Sequence, residues 1–220
     1  MSPTGRRVLT PDRCRLYIIT PELFDLGTFP DLFAGALDAG DVAAVQLRLK
    51  NAADDVWKRA IEALRPLAQA RRVTFLLNDR ADLVVPTGCD GAHVGQEDLP
   101  ATEARRVMGA GLMLGVTCKS SLDLAARAVD DGADYVAFGA FFPSTSKQVT
   151  NIADPDVLRR WAGRSPVPSC AIGGITAANL APLVQAGANL LAIIGGVWGH
   201  PQGPSAGVRA VNEAIAAAGR

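Results

Sequence analysis

The chain has 220 residues, 49% of them hydrophobic and 20% charged, with Lys plus Arg and Asp plus Glu each numbering 22. That length suits one domain with one sizeable core. The charge balance excludes a global field for nucleic acid or an anionic membrane, so any preference for anions has to come from local placement.

Residues 1–14 are polar and lack the apolar core of a secretory signal, and no apolar run is long enough to span a bilayer. They are expected to form a flexible N-terminal tail on a protein of the cytoplasm. Cys14, Cys89, Cys118 and Cys170 are scattered without Cys-x-x-Cys spacing, and are read as reduced, small hydrophobes.

From Arg15 the chain alternates. Arg15 to Thr20 is a β-rich run closed by Pro21, and Phe29 to Gly40 has helical spacing with a glycine stop. Val42 to Lys50 is a second strand, followed by a helix from about Asp54 to Arg71. Val73 to Asn78 and Gly91 to Gly95 are the third and fourth strands, joined by a segment too short for more than two helical turns. A helix over Pro100 to Met108, a strand over Leu112 to Thr117, a helix opened near Ser121 and a strand from Asp134 to Phe142 follow. Helices are predicted over Asp156 to Trp161, Thr176 to Ala186 and Ser205 to Ala218, around two apolar strands that end in paired glycines, Gly173-Gly174 and Gly195-Gly196.

Sustained alternation of this kind means α/β. Polar residues fall at the C-terminal end of every strand, whereas an open doubly wound sheet would gather them near one switch point. A single (β/α)8 TIM barrel over residues 15–220 accounts for the pattern, since it brings every strand end to one face. The two glycine-ended strands become β7 and β8, whose loops frequently hold a phosphate in such barrels.

Within Gln46-Leu-Arg-Leu-Lys50, a period of two sends Gln46, Arg48 and Lys50 one way and the leucines the other. Cations aimed at a barrel mouth need compensation, from internal carboxylates or from an anionic ligand. Asp79 and Asp98 follow neighbouring strands and can converge on one ion. Mg²⁺ suits them, since it takes one or two carboxylates plus substrate phosphate oxygens, while Asp98 alone also reads as a helix N-cap. His93 is inward by its spacing, as a satisfied core histidine or as a site residue. Ser144, Ser146 and Lys147 lie on a hydroxyl-rich loop after β6 that is either a solvated turn or a clamp for an anion. Arg48, Lys50 and Lys147 against Asp79 and Asp98, with Mg²⁺, make a site of about +3, suited to neutralising a departing diphosphate. The β7 and β8 ends would hold a second phosphate.

The motifs Gln46-x-Arg48-x-Lys50, Asn78-Asp-Arg80, His93-x-Gly95-Gln-Glu-Asp98, Gly115-Val-Thr117, Phe142-Pro-x-x-x-Lys147 and Ala171-Ile-Gly-Gly-Ile175 run in order through the chain. In this they resemble the thiamine phosphate synthase family. The resemblance implies a Mg²⁺-dependent transferase that condenses hydroxymethylpyrimidine diphosphate with thiazole phosphate, giving thiamine phosphate and pyrophosphate. It implies that Arg48, Lys50, Asn78, Thr117 and Lys147 hold the diphosphate, Asp79 and Asp98 the metal, and Gln46 and His93 the pyrimidine. Ser144, Ser146, Gly174, Ile194 and Gly195 would line the thiazole phosphate side. Small-molecule substrates are expected, without nucleic acid or membrane partners, and homo-oligomerisation is left open. Leu49, Thr117, Ser144, Ser146, Gly195 and Lys119 depart from the family pattern, and Gly195 gives up a hydroxyl toward the thiazole phosphate. A thiazole tautomerase of the same fold, or a non-catalytic phosphate-binding paralogue, is the alternative. The presence of Lys147 and the lysine at position 119 favour the synthase.

Overall fold

The apolar runs become eight parallel strands, β1 Arg15–Ile19, β2 Val42–Leu47, β3 Thr74–Asn78, β4 Gly91–Val94, β5 Met113–Thr117, β6 Tyr135–Gly139, β7 Ser169–Ile172 and β8 Leu190–Ile193. They close in sequence order into a barrel, β8 pairing with β1. The computed structural model describes residues 13–143 and 152–219. Ser144, Ser146 and Lys147 therefore lie outside the described residues, as do residues 1–12.

Helices α1 Phe29–Asp38, α2 Asp54–Ala70, α3 Ala81–Thr87, α4 Ala101–Met108, α5 Leu122–Asp130, α6 Asp156–Ala162, α7 Ala181–Gln185, α8 Gly195–Trp198 and α9 Pro204–Ala218 complete the described elements. Outward strand residues such as Leu16, Val45, Leu47, Phe75 and Leu114 pack with helix residues such as Phe33, Leu64 and Ile61 in one continuous apolar layer. Leu47 is fully buried there and Leu49 packs against the same layer, as the alternation in β2 requires. Emptying such a position by Leu→Ala typically costs about 2–5 kcal/mol.

The inside of the barrel is filled differently. Tyr17, Ile19, Ala43, Ala44, Leu76, Met113, Tyr135, Ala137, Cys170, Leu190 and Ala192 form a second cluster. Strand register puts Tyr17 beside Ala44 and Ala192, and Tyr135 beside Gly115. Small neighbours make room for the two rings. A Cβ on Gly115 would stand 2.0 Å from Tyr135 Cζ, so this strand glycine is required by close approach of the phenol.

Strand β2 ends at Leu47 rather than Lys50, and three other boundaries also differ from the sequence expectation. The segment predicted as a helix over Thr176 to Ala186 is helical only from Ala181, because Asn179 Oδ1 accepts from Thr176 N–H at 2.8 Å and its amide donates to Gly174 O at 2.9 Å. That side chain makes the turn which the helix would otherwise make. Strand β6 ends at Gly139 rather than Phe142, and Gly195-Gly196 opens the short helix α8 instead of closing β8.

The four cysteines are free and buried. Burial pushes Cys14 and Cys118 up to about 12 and Cys89 up to about 11, and raises Cys170 further. Thiols this far from ionisation are small hydrophobes and not nucleophiles. Among the described residues no helix is long and apolar enough to cross a membrane.

Candidate active site

The C-terminal ends of β1 to β5 form one continuous polar surface at the barrel mouth. Thr20, just past β1, is fully buried and its Oγ1 accepts from Arg48 N–H at 3.0 Å, which fixes where β2 ends and Arg48 begins. Arg48 and Lys50 lie beyond the strand, and both meet a residue that the sequence reading passed over. Glu22 pairs with Arg48 and accepts from Lys50 Nζ at 3.2 Å. The hydrogen bond from Arg48 holds the Glu22 carboxyl below the usual carboxylate range. An internal carboxylate thus compensates both cations, and the charge tally made from sequence falls by one. The signal was available in principle: Glu22 follows the end of β1, where the other polar site residues also sit relative to their strands.

Asp79 leaves β3 in the left-handed region, with φ 61°, and its N–H is held by His93 O at 2.8 Å. Its carboxylate accepts from Asn78 Nδ2 and faces Asp98. Burial, and next the charge of Asp98, push the Asp79 carboxyl up to about 7. Asp98 does not cap a helix, because α4 starts at Ala101 with Pro100 as its N-cap and no side-chain cap bond. Instead Asp98 Oδ2 accepts from Gly95 N–H at 2.8 Å. The N-cap alternative is set aside by that bond. Arg80, the third residue of the same motif, turns outward to Asp54 and Asp82 and stands 5.8 Å from the Trp57 ring, so it braces α2 and α3.

His93 is buried and neutral, its imidazole pushed down to about 4 by burial. Its Nδ1 lies 2.9 Å from Tyr135 Oη and its Nε2 2.7 Å from Thr117 Oγ1. Tyr135 Oη is 3.0 Å from Tyr17 Oη, Tyr17 donates to Gln46 Oε1 at 3.0 Å, and Gln46 Nε2 donates to Asn78 Oδ1. Six hydrogen bonds therefore join Thr117, His93, Tyr135, Tyr17, Gln46, Asn78 and Asp79 across the barrel. Both ring nitrogens of His93 have partners, as the satisfied-histidine reading expects, and one of them is Thr117, which the sequence reading also placed at the mouth. Tyr17 and Tyr135 were not singled out from sequence, where a tyrosine in an apolar strand reads as core.

Opposite polar groups set opposite pH dependences. His93 binds its proton in the unfolded chain near 6.5 but in the fold only near 4, so it withdraws stability as pH falls through that window, by about 1.4 kcal/mol per pH unit. Asp79 is raised from 3.8 to about 7, so the stability tied to it is present below the unfolded value and is lost as pH rises toward 7. The two nearly cancel. In Asp79→Asn the acid loss due to His93 should be exposed, and thermal melts of the metal-free protein between pH 4 and 7 check it.

Gly174, Ile194 and Gly195 line the far side of the mouth, at the ends of β7 and β8. Gly174 has φ 64°, and a Cβ there would stand 2.3 Å from Pro143 O, so the segment leaving β6 closes directly over it. Gly195 is different, because a Cβ on it would meet nothing within 4 Å. Ile194 packs against the barrel-interior cluster. Trp198 in α8 donates to Ile19 O at 2.8 Å and contacts Phe29, tying the β8 end to β1.

A closed parallel barrel with its polar groups at the C-terminal mouth, two carboxylates face to face and cations beside them defines an enzyme of the phosphate-handling barrel class. The sequence profile described as thiamine monophosphate synthase matches residues 16–197. The chain belongs to that family. It is 57% identical over 202 residues to the thiamine-phosphate synthase of Rhodospirillum centenum, covering 92% of this chain and 98% of that protein. It is 45% identical to the thiamine-phosphate synthase of Hyphomonas neptunium, covering 91% and 93%. Among solved structures, thiamine phosphate pyrophosphorylase from Pyrococcus furiosus superposes with a TM-score of 0.82 at 26% identity, covering 97% of this chain and 99% of that one.

Proposed function

We infer that this protein condenses hydroxymethylpyrimidine diphosphate with thiazole phosphate to give thiamine phosphate and pyrophosphate. The observation that carries the reading is the convergence of Gln46, Asn78, Asp79, His93 and Thr117 in one bonded array at the barrel mouth, within a chain 57% identical to a thiamine-phosphate synthase. The reaction breaks the bond between the pyrimidine's exocyclic carbon and the diphosphate oxygen, and the electron pair leaves with pyrophosphate. The carbon is left as a cation that the aminopyrimidine ring stabilises. The thiazole nitrogen then forms the new C–N bond.

The protein's part is to position the two substrates and to favour negative charge on the leaving group. Arg48 and Lys50 meet the diphosphate from β2, with Asn78 and Thr117 beside them and Lys147 from the loop after β6. Gln46 and His93 lie under the pyrimidine. Asp79 and Asp98 fit Mg²⁺, because two facing carboxylates, one of them raised toward 7 by burial and by the other, carry more negative charge than the site tolerates alone. Among the described residues no group of three or more His, Cys, Asp or Glu forms a complete protein cage, which suits an ion that shares its shell with phosphate oxygens. Bound there, Mg²⁺ supplies charge neutralisation for the diphosphate. The test is incubation with both substrates and Mg²⁺, scoring pyrophosphate and thiamine phosphate together. Release of neither, with folded protein, overturns the reading.

Gly195 yields a prediction of its own. Open space around it admits a side chain, and a hydroxyl there would add a donor on the thiazole phosphate side. Gly195→Ser is expected to lower the KM for thiazole phosphate by about tenfold, the effect of one added hydrogen bond to a charged group. Steady-state kinetics with the pyrimidine substrate saturating measures it.

A further inference from the structure

The array that crosses the barrel has one direction, and its far end dictates it. Asn78 Nδ2 donates to Asp79 Oδ2, and any proton that Asp79 carries belongs to its contact with Asp98 on the other side, so Asn78 presents its amide NH₂ to Asp79 and its carbonyl oxygen to Gln46. Gln46 must then give its NH₂ to Asn78 and its Oε1 to Tyr17, whose hydroxyl donates to it. With that proton committed, Tyr17 Oη can only accept from Tyr135. Tyr135 in turn can only accept from His93 Nδ1, and a neutral imidazole that carries its proton on Nδ1 has a bare Nε2. Thr117 therefore donates its hydroxyl proton to Nε2.

Both phenols are fully buried, and burial pushes their ionisation well up, so they stay in the chain as neutral donors. Gly115 leaves the space that Tyr135 needs to reach His93. Every link except Asp79, which lies just past β3, is a strand residue, which holds the array rigid. Reversing one link would leave a buried hydroxyl or amide donor without an acceptor, a penalty larger than the gain of an ordinary hydrogen bond.

We propose that Tyr17 and Tyr135 are positioning residues that fix His93 as its Nδ1–H tautomer and so commit the Thr117 hydroxyl proton inward. Thr117 then faces the mouth with lone pairs and not with a proton. On the synthase reading, it accepts from a proton-bearing neighbour such as a lysine ammonium or a water, and leaves donation to the diphosphate to Arg48, Lys50, Asn78 and Lys147. The tautomer itself depends only on the fold, so a failure of the synthase reading would not touch it.

The chain has two histidines, His93 and His200. His200 Nδ1 accepts from Gln202 N–H at 3.2 Å, which assigns it the opposite, Nε2–H form and makes it an internal reference. The experiment is nitrogen NMR of the ¹⁵N-histidine-labelled full chain, recorded above the ordinary imidazole pKa. His93 should show a proton-bearing Nδ1 and a bare Nε2, the reverse of His200. Tyr17→Phe does not touch His93, yet it frees the Tyr135 hydroxyl to donate to Nδ1 and should switch His93 to Nε2–H. Thr117→Val should leave Nδ1–H in place. With both substrates, Tyr17→Phe should lower kcat about tenfold, the scale of one misdirected hydrogen bond. A wild-type His93 in the Nε2–H form, or protonated on both nitrogens, overturns the proposal without need of any variant. So does a Tyr17→Phe protein that keeps Nδ1–H, because the direction would then not be transmitted from Asp79.

Discussion

Asp79→Asn and Asp98→Asn are each expected to abolish Mg²⁺-dependent turnover and, without metal, to melt no lower than the parent chain. The first half follows from the proposed role of the two carboxylates on one ion. The second follows from their mutual repulsion: Asp79 is pushed up to about 7 by burial and by Asp98, so neutralising either partner removes a destabilising term from the metal-free fold. A core position behaves in the opposite way, losing stability and activity together. Melting curves with and without Mg²⁺, beside turnover at graded Mg²⁺, separate the cases. Near-normal turnover by both variants at moderate Mg²⁺ would show that the metal lies elsewhere.

Lys147→Ala is expected to lower kcat by about 10²–10³ while weakening substrate binding much less. Negative charge builds on the departing pyrophosphate after binding, so an ammonium that meets it acts mainly on the transition state. Lys119→Ala is the matched control. Lys119 lies two residues past the end of β5, in the left-handed region with φ 53°, its side chain is 63% exposed, and its carboxylate neighbour Glu97 is 4.0 Å away. Such a solvent-facing pair contributes little. Turnover rates and substrate Kd for the two variants decide the matter. If Lys119→Ala is the damaging change and Lys147→Ala the silent one, the loop does not hold the leaving group.

The barrel was legible because strand and helix periods alternate without a break from Arg15 to Ala218, and because the inward parity of Gln46 and His93 follows from counting in twos. The helix predicted over Thr176 to Ala186 was overlong because Asn179 replaces backbone bonds with its own amide, which periodicity does not register. Glu22 was missed because Pro21 looked like the close of the β1 segment. Tyr17 and Tyr135 were missed for a deeper reason. Their strands are far apart in sequence, and only closure of the barrel sets one phenol against the other, 118 positions away. The sequence alone likewise left open whether Arg48 and Lys50 await an anion or already have one, a question of distance that spacing does not contain.

Glu22 makes the resting mouth an ion exchanger. Arg48 and Lys50 are not bare charges drawing in a diphosphate, since both already rest on the same carboxylate. On the proposed reading, an arriving diphosphate swaps one anion for another, and the part of its attraction set by these two cations is the difference between its grip and that of Glu22. Long-range attraction is correspondingly muted, so added salt should slow capture less than two unpaired cations would imply. Selectivity gains what speed gives up. A singly charged phosphate ester competes poorly with a carboxylate that is tethered beside its partners, whereas a diphosphate brings enough oxygens to take both cations at once.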